Sequence, residues 1–97
     1  MARFDLYRGD PGWLLDVQSE LTDGLPTRVV VPLLPLDSAP PPLGELNPVF
    51  EVESAAFQLM PQWLAATPRR ALGRPQASLA HERDAITRAL DLLFTGF

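Results

Sequence analysis

The residues of this chain best suited to chemistry are Thr67, Arg69, Arg70, Arg74 and His81. Guanidinium groups grip phosphate oxygens, and an imidazole moves protons near neutral pH. Such a set could hold a scissile phosphate and cleave RNA, although any strand edge carrying three arginines would show the same residue types. A second group, Asp16, Glu20 and Asp23, gathers three carboxylates in a short span. They could bind a cation or act as acid and base, but they fit a solvated loop rich in turn-forming Asp better. His81 is the single histidine and cysteine is absent. A histidine metal cluster, a thiolate zinc site and a Cys–His pair are thereby excluded. Gly9 and Gly12 flank a turn with no helix after it, which is not a phosphate-binding loop. The catalytic inventory is thin, and neither metal nor cofactor is expected.

The elements that must position these residues are short. Arg3 to Tyr7 alternates, with Phe4 and Leu6 on one face, and predicts a strand. Gly9-Asp10-Pro11-Gly12 is a turn, and Trp13 to Gln18 a second strand, so the first eighteen residues predict a hairpin. Ser19 to Pro26 reads as a loop. Arg28 to Leu34 is β-branched and continuous, a buried strand in which Pro32 marks an edge or a bulge. Pro35 to Gly44, with four prolines, predicts a semi-rigid surface loop. Pro48 to Val52 and Ala56 to Met60 predict a second hairpin turning at Glu53-Ser54-Ala55. Gln62 to Thr67 predicts a helical turn, and Arg70 to Gly73 a last strand. Trp13 and Trp63 read as partly buried packing residues. Short strands broken by turns imply a mainly β chain, a small barrel or sandwich closed by one helix.

That helix is predicted to start at Ser78 as N-cap. Leu79, Ile86, Leu90, Leu93 and Phe94 recur at helical spacing, with Ala89 beside them. Asp84 and Arg88 are placed to pair four apart. Gly96 suits the left-handed residue after the last turn. The segment Phe94-Thr95-Gly96-Phe97 then has two readings. Phe97 could fold back on Leu92 as part of the helix stop, or the aromatic pair could be presented to a partner.

Ninety-seven residues predict one domain spanning 1–97. A chain of this size buries only about 60–65% of its unfolded surface, and with 46% hydrophobic residues a homo-oligomer is a reasonable way to widen its stability margin. Eight basic and twelve acidic side chains give a net charge of −4, and direct nucleic-acid binding is not expected because it needs several phosphates neutralised. The N-terminal residues lack a signal-peptide pattern, and no apolar run approaches the roughly 20 residues that cross a bilayer. A soluble, cytoplasmic protein without a membrane partner is expected.

Several blocks resemble the CcdB toxins. They are Leu15-Asp16-Val17-Gln18-Ser19, Thr27-Arg28-Val29-Val30-Val31-Pro32-Leu33, Glu45-Leu46-Asn47-Pro48-Val49, Leu59-Met60, Ala66-Thr67-Pro68, Leu72-Gly73, Leu79-Ala80-His81 and Phe94-Thr95-Gly96-Phe97. They run in the same order over essentially the whole chain. The resemblance implies a small SH3-like β-barrel with a C-terminal helix, acting as a cytoplasmic homodimer. It implies a toxin that is not an enzyme, one that binds the A subunit of DNA gyrase and traps its cleaved-DNA complex, neutralised by a CcdA-like antitoxin. It assigns no catalytic residue and places gyrase contacts at Leu21, Phe94, Thr95, Gly96 and Phe97. Thr95 departs from the pattern, standing where the family has a tryptophan that stacks on gyrase, and Asp91 replaces a neutral polar residue. MazF/Kid-type endoribonucleases share this barrel, which makes RNA cleavage by the arginine set the alternative activity. A relative that keeps antitoxin binding but not toxicity is another.

Overall fold

The computed structural model describes residues 1–96 of the chain. Seven strands and one helix follow in order: β1 (Asp5–Arg8), β2 (Trp13–Asp16), β3 (Thr27–Pro35), β4 (Val49–Val52), β5 (Ala55–Leu59), β6 (Ala65–Pro68), β7 (Ala77–Ser78) and α1 (Arg83–Thr95). Every strand pairing is antiparallel, in the order β4-β5-β3-β2-β1-β7, with β6 also on β3. The sheet curls into a half-barrel, and α1 closes its concave side through Ile86 and Ala89. This is the mainly β barrel with a C-terminal helix that the residues implied.

The two hairpins form for different local reasons. Between β4 and β5, Glu53 and Ser54 both take positive φ, 52° and 68°, the two-residue turn whose twist suits antiparallel strands. Between β1 and β2, Gly12 is pressed against β3, where a Cβ would stand 1.9 Å from the Leu33 carbonyl oxygen. Gly12→Ala is expected to force that turn away from β3 and destabilise the fold by about 1–3 kcal/mol, as overpacking does; a lowered denaturation midpoint is the readout.

β3 is central rather than an edge. It pairs with β2 along one side and with β6 and then β5 along the other. The Pro32 carbonyl accepts from the Met60 N–H at 2.9 Å, so its missing N–H lies between the stretches covered by β6 and β5. The proline marks an interruption in the ladder.

Four expectations are corrected. The segment after Met60 is a short 3-10 turn, Pro61–Trp63, and then strand β6, not a helical turn up to Thr67. The first half of β3 offers an unpaired edge, and pairing with it overrides the weak preference of Ala-Ala-Thr. Arg70 to Gly73 is not a strand: Arg69–Ala71 is a 3-10 turn, bounded by Pro68 and by Gly73 at φ 72°. Helix α1 starts at Arg83, not after Ser78. Ser78 belongs to β7, and its hydroxyl accepts from the Ala80 N–H at 3.1 Å, opening a short turn ahead of the helix. Arg88 also pairs with Glu45 at 2.7 Å instead of with Asp84, which fastens the segment after the proline-rich loop to α1.

The main core gathers Leu6, Trp13, Leu15, Val31, Leu33 and Leu59 from the sheet with Leu79, Ile86 and Ala89 from the C-terminal segment. Trp13 is buried and meets Phe57 edge-on at 6.4 Å, whereas Trp63 is half exposed. β1 is buried on both faces, because Leu6 enters this core while Tyr7 packs with Val30 and Leu72 on the other side. The buried Tyr7 hydroxyl has no hydrogen-bond partner among the described residues. Burial, then the charges of Asp5 and Asp16, push its pKa up, so it stays neutral. Tyr7→Phe removes a hydroxyl that makes no protein hydrogen bond, and stability is expected to change by less than about 1 kcal/mol on chemical denaturation. Among the described residues, no helix is long and apolar enough to cross a membrane.

Candidate functional site

The Asp16-Val17-Gln18-Ser19 block builds a rigid platform. Arg28, from β3, is fully buried and grips Asp16 with two bonds, Nε to Oδ2 at 2.8 Å and Nη2 to Oδ1 at 3.0 Å. The same guanidinium donates to the Gln18 carbonyl at 3.1 Å and to Asp23 Oδ1 at 3.2 Å. Its bond to Asp16 raises the Arg28 pKa further, so this charge is permanent. Gln18 then clamps the loop from both ends. Its amide oxygen accepts from the Val29 N–H at 2.8 Å, and its nitrogen donates to the Thr22 hydroxyl at 2.9 Å. The Ser19 hydroxyl accepts from the Leu21 N–H at 3.1 Å. Asp16 and Asp23 are therefore counter-ions of Arg28. No group of three acidic or metal-binding side chains among the described residues could hold a metal ion, which removes the cation reading of Asp16, Glu20 and Asp23; Asp16 is moreover buried against Arg28, out of reach of a substrate.

On this platform a 3-10 turn, Glu20–Thr22, presents Leu21 with 96% of its surface exposed. A leucine so exposed on so constrained a backbone is costly to leave in water and cheap to dock, because the ordering entropy is already lost.

The other predicted contacts lie at the far end of α1. Leu90, Leu92 and Leu93 are partly buried, but Phe94 departs from the apolar stripe and is 67% exposed. The Thr95 hydroxyl donates to the Asp91 carbonyl at 2.7 Å. Gly96 takes φ 82° and its N–H donates to the Leu92 carbonyl at 3.2 Å, the left-handed stop expected of it. Gly96 and Leu92 border a shallow apolar groove with Leu43 and Leu46. The expected packing of Phe97 on Leu92 lies outside the described residues. Leu21 instead borders a cleft with Ala80 and Arg83, at the start of α1. Within one chain the two contact regions are thus held apart by the helix, about 18 Å at 1.5 Å per residue.

The arginine and histidine set does not assemble. Thr67 lies in β6 opposite Arg28. Arg69 donates to the Asp23 carbonyl and lies 3.9 Å from the Asp23 carboxylate, so it braces the Leu21 loop. His81 follows β7, which pairs with β1, whereas Arg69 follows β6, which pairs with β3. No hydrogen bond or ion pair joins His81 to Thr67 or to the three arginines among the described residues. The bracing roles of Arg28 and Arg69 escaped the sequence reading, since nothing in a linear charge pattern pairs Asp16 with Arg28 or Asp23 with Arg69.

The fold thus leaves two apolar side chains, Leu21 and Phe94, exposed at opposite ends of the helix. The chain matches the CcdB protein family over residues 3–96, a span that takes in the Leu21 loop, all seven strands and the helix stop at Gly96. The chain belongs to the CcdB family, the gyrase-directed toxins of toxin–antitoxin systems.

Proposed function

We propose that this protein binds the A subunit of DNA gyrase and traps the covalent complex in which gyrase has cut DNA. It acts in the cytoplasm as a homodimer and is neutralised by a CcdA-like antitoxin. The gyrase contacts are Leu21, Phe94, Thr95, Gly96 and Phe97. The reading rests on one observation: the last helical turn directs Phe94 to solvent, while the residues that share its stripe face the barrel. Exposed aromatic side chains on rigid elements are the usual anchors of protein interfaces. A twofold dimer presents each anchor twice, and Leu25, Leu36, Leu43, Val49 and Trp63 supply further exposed apolar surface for self-association. The net charge of −4 and the engagement of Arg69 with Asp23 favour a protein target over a nucleic acid.

The test incubates the protein with gyrase, ATP and supercoiled plasmid and then denatures the enzyme. Linear DNA is expected, and its yield is expected to vanish when Gly96 and Phe97 are deleted. RNA fragments formed without gyrase, and lost on Arg70→Ala, would replace this reading with the ribonuclease one. Overexpression without effect on growth would point to the non-toxic relative.

A further inference from the structure

The cleft beside Leu21 differs in charge from the rest of this acidic protein. About 420 Å³ in volume, it is bordered by Arg3, Phe4, Glu20, Leu21, Ala80 and Arg83. Four of the eight arginines are neutralised within the chain, Arg8 by Glu53, Arg28 by Asp16 and Asp23, Arg69 by Asp23, and Arg88 by Glu45. The other four, Arg3, Arg70, Arg74 and Arg83, have no acidic partner among the described residues, and two of them, Arg3 and Arg83, border this one cleft. Arg3 is already positioned: its Nε donates to the Val17 carbonyl at 3.1 Å and its guanidinium carbon lies 4.7 Å from the centre of the Phe4 ring. Glu20 accepts from the Arg3 backbone N–H at 3.4 Å and forms no ion pair with either guanidinium. Arg83 is the first residue of α1, where the helix dipole disfavours a cation.

We infer that this cleft is a carboxylate-binding subsite, in which Arg3 and Arg83 clamp an acidic side chain of the partner protein while Leu21 packs on an apolar residue next to it. The assignment of that partner to gyrase rests on the function proposed above; the carboxylate chemistry does not. A guanidinium pair matches a carboxylate through paired N–H donors, and the positive helix end adds to the attraction. The arrangement also accounts for an unneutralised cation at a position where an acid would stabilise the helix. A nucleic-acid backbone fits less well. It would bring several phosphates against Glu20, the adjacent Asp84 and a surface of net charge −4, and the cleft has room for one side chain, not a duplex.

Two measurements test the assignment on the full-length protein. In the first, binding to purified gyrase A subunit is compared for the wild type, Arg83→Glu, Arg83→Lys and, as a control that does not border the cleft, Arg70→Glu. Arg83→Glu is expected to fold normally, since an acid suits the first helical turn, and to bind at least tenfold more weakly. Arg83→Lys is expected to retain most of the affinity, and Arg70→Glu to change it less than twofold. Equal affinity of wild type and Arg83→Glu overturns the proposal. The second measurement does not depend on gyrase: the side-chain Nε–H resonances of Arg3 and Arg83 are followed by NMR while N-acetyl-Leu-Glu-amide is added. Saturable shifts with this probe, absent with N-acetyl-Leu-Gln-amide, support the subsite even if the wild type fails to bind gyrase, in which case only the partner assignment falls. Shifts with a short DNA duplex but none with the Glu peptide overturn it in favour of a phosphate site.

Discussion

Replacing Phe94 with alanine is expected to weaken binding to the gyrase A subunit by about 2–4 kcal/mol, roughly 30- to 1000-fold in Kd, and to leave the fold intact. Two thirds of the Phe94 surface faces solvent, so the barrel loses little packing when the ring is removed, and unfolding by denaturant should shift by less than about 1 kcal/mol. In a complex the same ring would be desolvated, and an aromatic anchor at the centre of an interface carries a disproportionate share of the affinity. The measurement is titration calorimetry against the gyrase A subunit, paired with denaturant unfolding of the free protein. A large loss of stability with unchanged affinity would reassign Phe94 to packing and move the docking surface elsewhere. The neighbouring Thr95 sharpens the expectation. Its hydroxyl is hydrogen-bonded to the helix backbone, and no ring stands there to share the load, so Phe94 is expected to carry a larger part of it.

The second large effect concerns the platform beneath Leu21. Arg28→Met is expected to cost about 3–5 kcal/mol, because it leaves the Asp16 carboxylate buried without its counter-charge. Against a total stability of about 5–15 kcal/mol for a chain of this size, that loss is large enough to show as partial unfolding at 37 °C. The paired replacement Asp16→Leu with Arg28→Met removes both charges and is expected to recover most of the loss, since an apolar pair of similar volume avoids the desolvation cost altogether. The double variant should nevertheless bind its partner less well. Arg28 also holds the Gln18 carbonyl and Asp23, so without it the loop that presents Leu21 loses two fastenings. Stability from urea midpoints and affinity from calorimetry separate the two effects. If the double variant bound as tightly as the wild type, the network would serve the fold alone.

Some of this was legible in the sequence because local preference and tertiary environment agree. The β-branched run around Val30 can satisfy itself only as a buried strand, and the turn at Glu53-Ser54 follows from the two short apolar runs on either side of it. Gly96 is a helix stop by its own conformational freedom. Other parts were hidden because tertiary partners decide them. Ala65-Ala66-Thr67 carries almost no side-chain signal and becomes strand β6 only because the first half of β3 has an edge to pair with. Asp16 and Asp23 read as loop carboxylates because the arginines that neutralise them are remote or on another strand. The exposure of Leu21 has no local signature, since one leucine in a polar loop looks the same whether it tucks under or points out. The resemblance to the family, not the residue pattern, singled it out. Phe94 is the converse case: its spacing assigns it to the buried stripe, but in the last turn of the helix it stands 67% exposed while Leu90 and Leu93 are partly buried.

The length of α1 has a consequence for how this surface tolerates change. On the proposed contacts, with Leu21 and Arg83 at one end and Phe94 at the other, the helix would act as a rigid caliper whose jaws span two points on one partner at once. Two contacts joined stiffly reinforce each other only if both reach their seats together, and the advantage disappears when the span is wrong. Exposed residues on its outer face, such as Thr87, can be exchanged with little effect. A single inserted or deleted residue would turn one jaw by about 100° and move it by about 1.5 Å relative to the other. The helix is therefore permissive in composition and strict in count.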